Sequence, residues 1–221
     1  ERSFFMKNIV LFGSGGHAKV IADIVEREGL YQISGLIDSN RKLGMECFGC
    51  PILGSDDELP DLIIKNGIDG GVVAVGDNWA RYLIAQKVLK MIPDFHFIKT
   101  IHPSAQIAGQ VILKQGTVIM PGVVINSGTE IGEFCIVNTN SSVDHDNVLG
   151  NYSSIMPNAA TGGGVRVGKF SVLGMGANVI QETCIGDHTV IGAGSVLLES
   201  IGDYSVATGS PAKVMKKRNK G

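Results

Sequence analysis

Cysteine and aromatic residues are scarce in this 221-residue chain, and no long apolar run interrupts it. Four cysteines, at 47, 50, 135 and 184, are too few and too scattered for a disulfide framework, so a reducing cytoplasm is the expected setting. Cys47-Phe48-Gly49-Cys50 has the CxxC spacing, but a second ligand pair is missing and no metal is expected. Mean hydropathy is positive at +0.20, yet no stretch reaches the ~20 apolar residues of a membrane span. Charge of one sign is not in excess either. With 19 basic and 21 acidic side chains the net charge is −2, which gives no electrostatic footprint for nucleic acid or an anionic membrane. No basic segment followed by an apolar run opens the chain, so no secretory leader is expected. Met6-Lys7-Asn8 reads as a natural start, and residues 1–5 are expected to be a cloning remnant. What is abundant is glycine, 30 residues of it, which points to a small-residue, turn-rich architecture.

Two periodicities divide the chain. Over residues 6–99 short apolar strands (9–12, 33–37, 71–75) alternate with helical patterns (about Val20–Val25, 56–65, 78–91), which predicts right-handed βαβ units and a parallel sheet. From residue 100 onward the helical period gives way to a period of six. Every sixth position from Ile101 to Leu197 is Ile, Leu or Val, with Thr161 the one exception. A small or β-branched residue follows four places later (Thr117, Val123, Ser171, Thr189), and glycine often comes directly after the aliphatic position (Gly132, Gly150, Gly168, Gly186, Gly192). This is the pattern of a left-handed parallel β-helix over residues 100–221, tail included. Three hexads close one triangular coil, the aliphatic residues stack inside, and the glycines are expected to permit the bends.

Chemistry-bearing residues cluster at two places. Gly13-x-Gly15-x-x-Ala18 follows the first strand and opens a helix, and Asp38 ends the second strand. Glycines there let a phosphate approach the helix N-terminus, while the acid can reach a ribose or base edge. An NAD enzyme is disfavoured, because residues 6–99 supply only one mononucleotide-sized unit. Gly76-Asp77-Asn78 ends the third strand beside the first loop, which makes Asn78 a nucleotide contact; Trp79 either stacks on a base or covers the domain junction. Asp144-His145-Asp146 falls on a corner after the inward Val143, so His145 points outward and is available as a base near neutral pH. Either flanking carboxylate is placed to orient it. One coil later, position 163 is the middle of Gly162-Gly163-Gly164, where a bare backbone N–H can serve a developing oxyanion.

Three segments carry a family resemblance: Gly13-Ser14-Gly15-Gly16-His17-Ala18, Asn138 to Asp146, and Ala207-Thr208-Gly209-Ser210-Pro211-Ala212-Lys213. Together, over residues 6–216, the chain resembles the bacterial sugar acetyltransferases that set a small Rossmann-like domain before a hexapeptide β-helix. That group includes nucleotide-amino-sugar N-acetyltransferases and sialic acid O-acetyltransferases. The resemblance implies that Gly13, Ser14, Gly15, Gly16, His17, Asp38 and Asn78 hold a nucleotide sugar, with His17 near the acceptor. It also implies His145 as general base, Asp146 as its orienting partner and Gly163 as oxyanion donor. Acetyl-CoA is the implied co-substrate, contacted by Ser154, Gly163, Gly164 and Lys213. Ser154 stands where the family often has a second histidine, so any role of that histidine lapses. A homotrimer is implied, with no metal. The resulting expectation is N-acetylation of a UDP-4-amino-4,6-dideoxy-N-acetylglucosamine-like sugar for a surface glycan. O-acetylation of a sialic acid, or a non-catalytic nucleotide-sugar-binding scaffold, stay open as other readings.

Overall fold

The run Ile9-Val10-Leu11-Phe12 is apolar at every position, and it forms the buried centre of a parallel sheet. The computed structural model describes residues 6–218, so residues 1–5 lie outside the described residues. The chain divides into two compact units whose boundary falls between Pro103 and Ser104, a few residues beyond the break in periodicity.

In the first unit β1 (Lys7–Phe12), α1 (Gly16–Glu28) and β2 (Tyr31–Ile37) are followed by a short hairpin, β3 (Glu46–Cys47) and β4 (Cys50–Gly54). Then come α2 (Leu59–Asn66), β5 (Ile68–Val73) and α3 (Asn78–Met91). The sheet order is β3-β4-β2-β1-β5, parallel except for β3. The chain moves from β1 to β2 on one side and returns to β5 on the other. That reversal leaves a crevice at the carboxyl ends of β1 and β5, where doubly wound sheets bind ligands. α1 buries Ala18, Ile21, Ala22, Ile24 and Val25, and it stops at Gly29, whose left-handed φ of 68° lets its N–H reach Val25 O. Asp77 caps α3 by accepting from Ala80 N–H at 2.8 Å. Residues 46–54 read as turn-rich in sequence but pair as a hairpin, because Phe48 and Gly49 both take left-handed φ (41° and 81°). Cys47 and Cys50 face each other across it as free thiols.

The second unit is a coil of two-residue strands stacked in three parallel sheets. The first face runs from Gln106–Ile107 to Val196–Leu197 and the second from Ile112–Leu113 to Cys184–Ile185. The third contains Val118–Ile119, Ile136–Val137, Ser154–Ile155, Val172–Leu173 and Val190–Ile191. It ends in the hairpin Ser205–Gly209 and Ala212–Lys217. Each strand pairs with the residue one coil later, as in Ile125↔Val143 and Val143↔Thr161, so the hexad aliphatics form internal ladders.

Two details go beyond the hexad pattern. Where the residue four places after the aliphatic carries a hydroxyl, that group can hydrogen-bond to the next coil. Thr117 Oγ1 donates to Gly132 O (3.0 Å), Thr129 Oγ1 to Asp144 O (2.8 Å) and Ser171 Oγ to Gly186 O (2.6 Å). Glycines do take bends, but three places after the inward hexad position, at Gly116, Gly122, Gly128, Gly164, Gly176 and Gly194 (φ 66° to 75°); those directly after the aliphatic position are not the bend residues. Left-handed φ falls two places later, at Phe134, Tyr152 and Phe170, while a side chain on Gly168 would meet Asp187 N at 2.5 Å. Those glycines are therefore required by the close approach of the next coil rather than by φ. The left-handed corner positions stack an external ladder, Phe134-Tyr152-Phe170-His188-Tyr204, with ring centroids 4.7 to 5.2 Å apart.

Candidate active site

The loop after β1 and the end of β2 come together at one edge of the sheet. The loop after β1 enters α1 at Gly16 with no acidic residue in the first turn, so the helix N-terminus keeps its positive end unopposed. Nothing lies within 4 Å of the space beside Gly15 and Gly16, whereas a side chain on Gly13, at φ 115°, would meet Ala74 O at 3.1 Å. Ser14 Oγ donates to Asp38 Oδ2 at 2.5 Å, and Asn40 N–H donates to Asp38 Oδ1 at 2.9 Å. Arg41, which no motif flags, brings its Nε to Ser14 Oγ at 3.3 Å and adds a cation beside the loop. A pocket of about 270 Å³ opens here, with Phe12, Ile37, Val75 and Ile84 as apolar walls and Asp38, Ser39, Asn40 and Asp56 as its polar edge. An apolar slot with polar groups at one side suits a planar base.

His17 lies over Gly76, its Cγ 4.0 Å from the place a side chain there would start. Burial, and then the nearby Arg81 guanidinium, push its imidazole down to about 4, so it is neutral at physiological pH. Its Nε2 has no partner among the described residues. Asn78 departs from its expected role. It is buried, and its amide oxygen accepts from Arg81 Nη2 at 2.8 Å, while Arg81 Nη1 donates to Val75 O and Gly76 O, both at 3.1 Å. Asn78 thus braces the loop from beneath instead of reaching outward. Arg81, fully buried on α3, was not legible as a site residue. Trp79 is half-exposed and lies tilted by 30° against Tyr82, ring centroids 4.9 Å apart.

The second cluster sits on a corner of the β-helix. His145 Nδ1 is 2.8 Å from Asp146 Oδ2, and both side chains are well exposed (61% and 70%), open to a substrate. Asp144 does something different. Its Oδ1 accepts from His145 N–H at 2.8 Å and from Asn126 Nδ2 at 2.7 Å, which holds its carboxyl below the usual range. The local ambiguity is resolved by geometry, with Asp146 on the ring and Asp144 on the backbone. The bond from Asp146, then the charge of Asp144 and more weakly that of Glu182, raise the His145 pKa above its ordinary value.

The ring reaches across to the next coil. A side chain on Gly163 would meet His145 Cε1 and Nε2 at 2.5 Å, so only glycine leaves room for the imidazole. Gly164 N–H donates to His145 O at 2.9 Å and Gly162 N–H to Val179 O at 2.8 Å, but no group among the described residues accepts from Gly163 N–H. A free donor beside a free imidazole nitrogen is the arrangement an acyl transfer requires. Beneath the corner, fully buried Asn147 donates to Asp144 O (2.9 Å), His145 O (3.1 Å) and Gly162 O (2.9 Å). Thr161, the exception in the aliphatic series, accepts from Asp144 N–H at 3.4 Å.

Two expected co-substrate contacts are not brought to this corner. Ser154 is on the third face, which does not adjoin the His145 corner, and only 2% of it is exposed. Lys213 pairs with Thr208 in the terminal hairpin, about 14 Å along the axis from Ser154 at ~4.8 Å per coil. Gly163 and Gly164 alone of that set line the corner.

Residues 8–88 match the family model of the PglD N-terminal domain. A curated UDP-N-acetylbacillosamine N-acetyltransferase of Bacillus subtilis (strain 168) is 33% identical over 121 residues, and the aligned stretch spans 52% of this chain and 52% of that protein, about half its length. Among solved structures, a variant of GDP-perosamine N-acetyl transferase from Caulobacter crescentus, in complex with CoA and GDP-perosamine, superposes with a TM-score of 0.89 at 36% identity. The match covers 95% of this chain and 97% of that one. The acetyltransferase domain of PglB from Neisseria gonorrhoeae, in complex with acetyl coenzyme A, gives 0.87 at 33% identity, covering 95% and 100%.

Proposed function

Because this chain belongs to the sugar N-acetyltransferase family, we propose that it transfers acetyl from acetyl-CoA to the amino group of a nucleotide-linked amino sugar. The observation that carries this reading is the corner itself, an exposed imidazole oriented by Asp146 and lying against the unpaired N–H of Gly163. His145 Nε2 takes a proton from the acceptor nitrogen as the N–C bond forms. Asp146 fixes Nδ1 as the protonated nitrogen, leaving Nε2 as the base, and favours the imidazolium that results. Gly163 N–H donates to the oxyanion, the C–S bond breaks, and the proton held on Nε2 passes to the departing sulfur, so CoA leaves as the thiol. No side chain at the corner needs to carry the acetyl group, so transfer is direct.

In this reading the first unit holds the nucleotide, with phosphates at the α1 N-terminus, ribose or base at Asp38 and the base in the adjoining pocket. His17, kept neutral, positions the acceptor by hydrogen bond and does not act as a second base. Acceptors linked to UDP, such as UDP-4-amino-4,6-dideoxy-N-acetylglucosamine, fit the amine chemistry, and the product serves surface-glycan synthesis. The chain works as a homotrimer in the cytoplasm, in keeping with its four free thiols. Thiol release from acetyl-CoA with amino-sugar and matching hydroxy-sugar nucleotides tests this. Saturable release with the amino sugar alone is expected, and release only with sialic acid or another hydroxyl acceptor would overturn it.

A further inference from the structure

Two side chains lean on the Gly163-Gly164 pair from opposite coils. His145 comes from the preceding coil and fills the space beside Gly163. Glu182 comes from the following coil and fills the space beside Gly164, its Cδ 2.8 Å from where a side chain there would begin. Adjacent Cα atoms are only about 3.8 Å apart, and the Glu182 charge reaches the imidazole, contributing to the rise of its pKa. Glu182 is fixed in that pose by its backbone, since its N–H donates to Gly163 O at 2.8 Å and its φ of 58° turns the side chain back toward the corner. Asp146 already orients the ring and Asp144 already holds the backbone and Asn126. Glu182 is exposed and accepts no hydrogen bond from the ring. It is a carboxylate left over in the site.

We propose that Glu182 is the ammonium-binding residue of this site, receiving the protonated amine of the acceptor across from His145 and selecting amines over hydroxyls. The inference rests on the acetyltransferase reading above. An amino sugar arrives largely as an ammonium ion near neutral pH, and a carboxylate at this place pairs with it before the proton moves to Nε2. The balance is plain: the ammonium first gives one proton through Nε2 to solvent, the neutral amine attacks, and its second proton passes through Nε2 to the departing sulfur, so ammonium plus thioester gives amide, thiol and one proton. A hydroxyl acceptor carries no charge and gains nothing from Glu182. The charged groups facing His145 are Asp144, Asp146 and Glu182, so removing Glu182 also removes one anion from around the imidazole.

The test is steady-state kinetics of Glu182→Gln and Glu182→Asp with UDP- and GDP-linked 4-amino-4,6-dideoxy sugars, the matching 4-hydroxy nucleotide sugar serving as competitive inhibitor. Glu182→Gln is expected to raise KM for the amine about tenfold while kcat stays within about threefold. The inhibition constant of the hydroxy analogue and KM for acetyl-CoA should not move. The acidic limb of kcat/KM should shift to lower pH, and the salt dependence of the amine KM should flatten. Glu182→Asp should restore most of the loss. Equal changes for amine and hydroxy analogue, or none for either, would overturn the proposal while leaving the acetyltransferase reading intact. A wild-type chain that releases no thiol with either amine removes that reading, and the proposal falls with it.

Discussion

A methyl group at position 163 would lie 2.5 Å from two ring atoms of His145, closer than any relaxed contact. Gly163→Ala is therefore expected to swing the imidazole off the oxyanion donor and lower kcat by about 100-fold. The backbone φ there is not left-handed, so the fold should survive with Tm within a few degrees, checked by circular dichroism. His17 gives a prediction of another kind. Its folded pKa of about 4 lies below the unfolded 6.5, so between those values the unfolded chain binds more protons. Stability must then fall as pH drops from 6.5 toward 4, by about 3 kcal/mol if the whole shift is realised. His17→Asn should flatten that part of the profile in thermal unfolding measured across pH. Both residues were legible in sequence, Gly163 by counting one coil from His145 and His17 from the loop motif. Arg81 was not, because a buried arginine at a helix start carries no local pattern. Asn78 looked like a contact for the same reason, since sequence does not show that an arginine three residues on takes its oxygen.

At the scale of one corner, Asn147 ties three carbonyls from two coils beneath His145 and Gly163. Asn147→Ala leaves Gly162 O without its donor, while Asp144 O keeps Thr129 Oγ1 and His145 O keeps Gly164 N–H, and a loss of about 1–3 kcal/mol is expected by urea denaturation, with kcat reduced as the His145 backbone loosens. Hexads were the most legible element, since aliphatics at every sixth position specify the inward ladder without reference to anything distant. The glycines directly after the aliphatics were misread, while corner glycines such as Gly116 and Gly128 do bend the chain: sequence shows that a side chain is absent, but not whether φ or crowding demands it. Gly168 is a case of crowding, and the bend belongs to Phe170. The 46–54 hairpin escaped notice because β3 is only two residues long and β4 carries Pro51 and Gly54, which read as turn residues. Ser154 came from the family resemblance alone; half a coil after His145 its strand belongs to the third face, which an alignment along the chain does not show.

The molecule joins two units with different periods, one suited to a nucleotide and the other to acyl transfer. Assembly is the claim at this scale, and sedimentation equilibrium should give about three times the 23.3 kDa chain mass, with activity lost on dilution to monomer. A fully active monomer would contradict it. The break in period at residue 100 made the two-unit plan legible. The trimer rests on family resemblance, because an outward hexad position reads the same whether it meets solvent or a partner. The central claim is that His145 is the base of a direct acetyl transfer. Its most direct test is thiol release by His145→Ala at saturating acetyl-CoA and amino-sugar nucleotide. A loss of roughly 10²–10⁴-fold in kcat, with Tm and CoA binding unchanged, is the expected result. A variant that keeps kcat within threefold of the wild type would contradict the account.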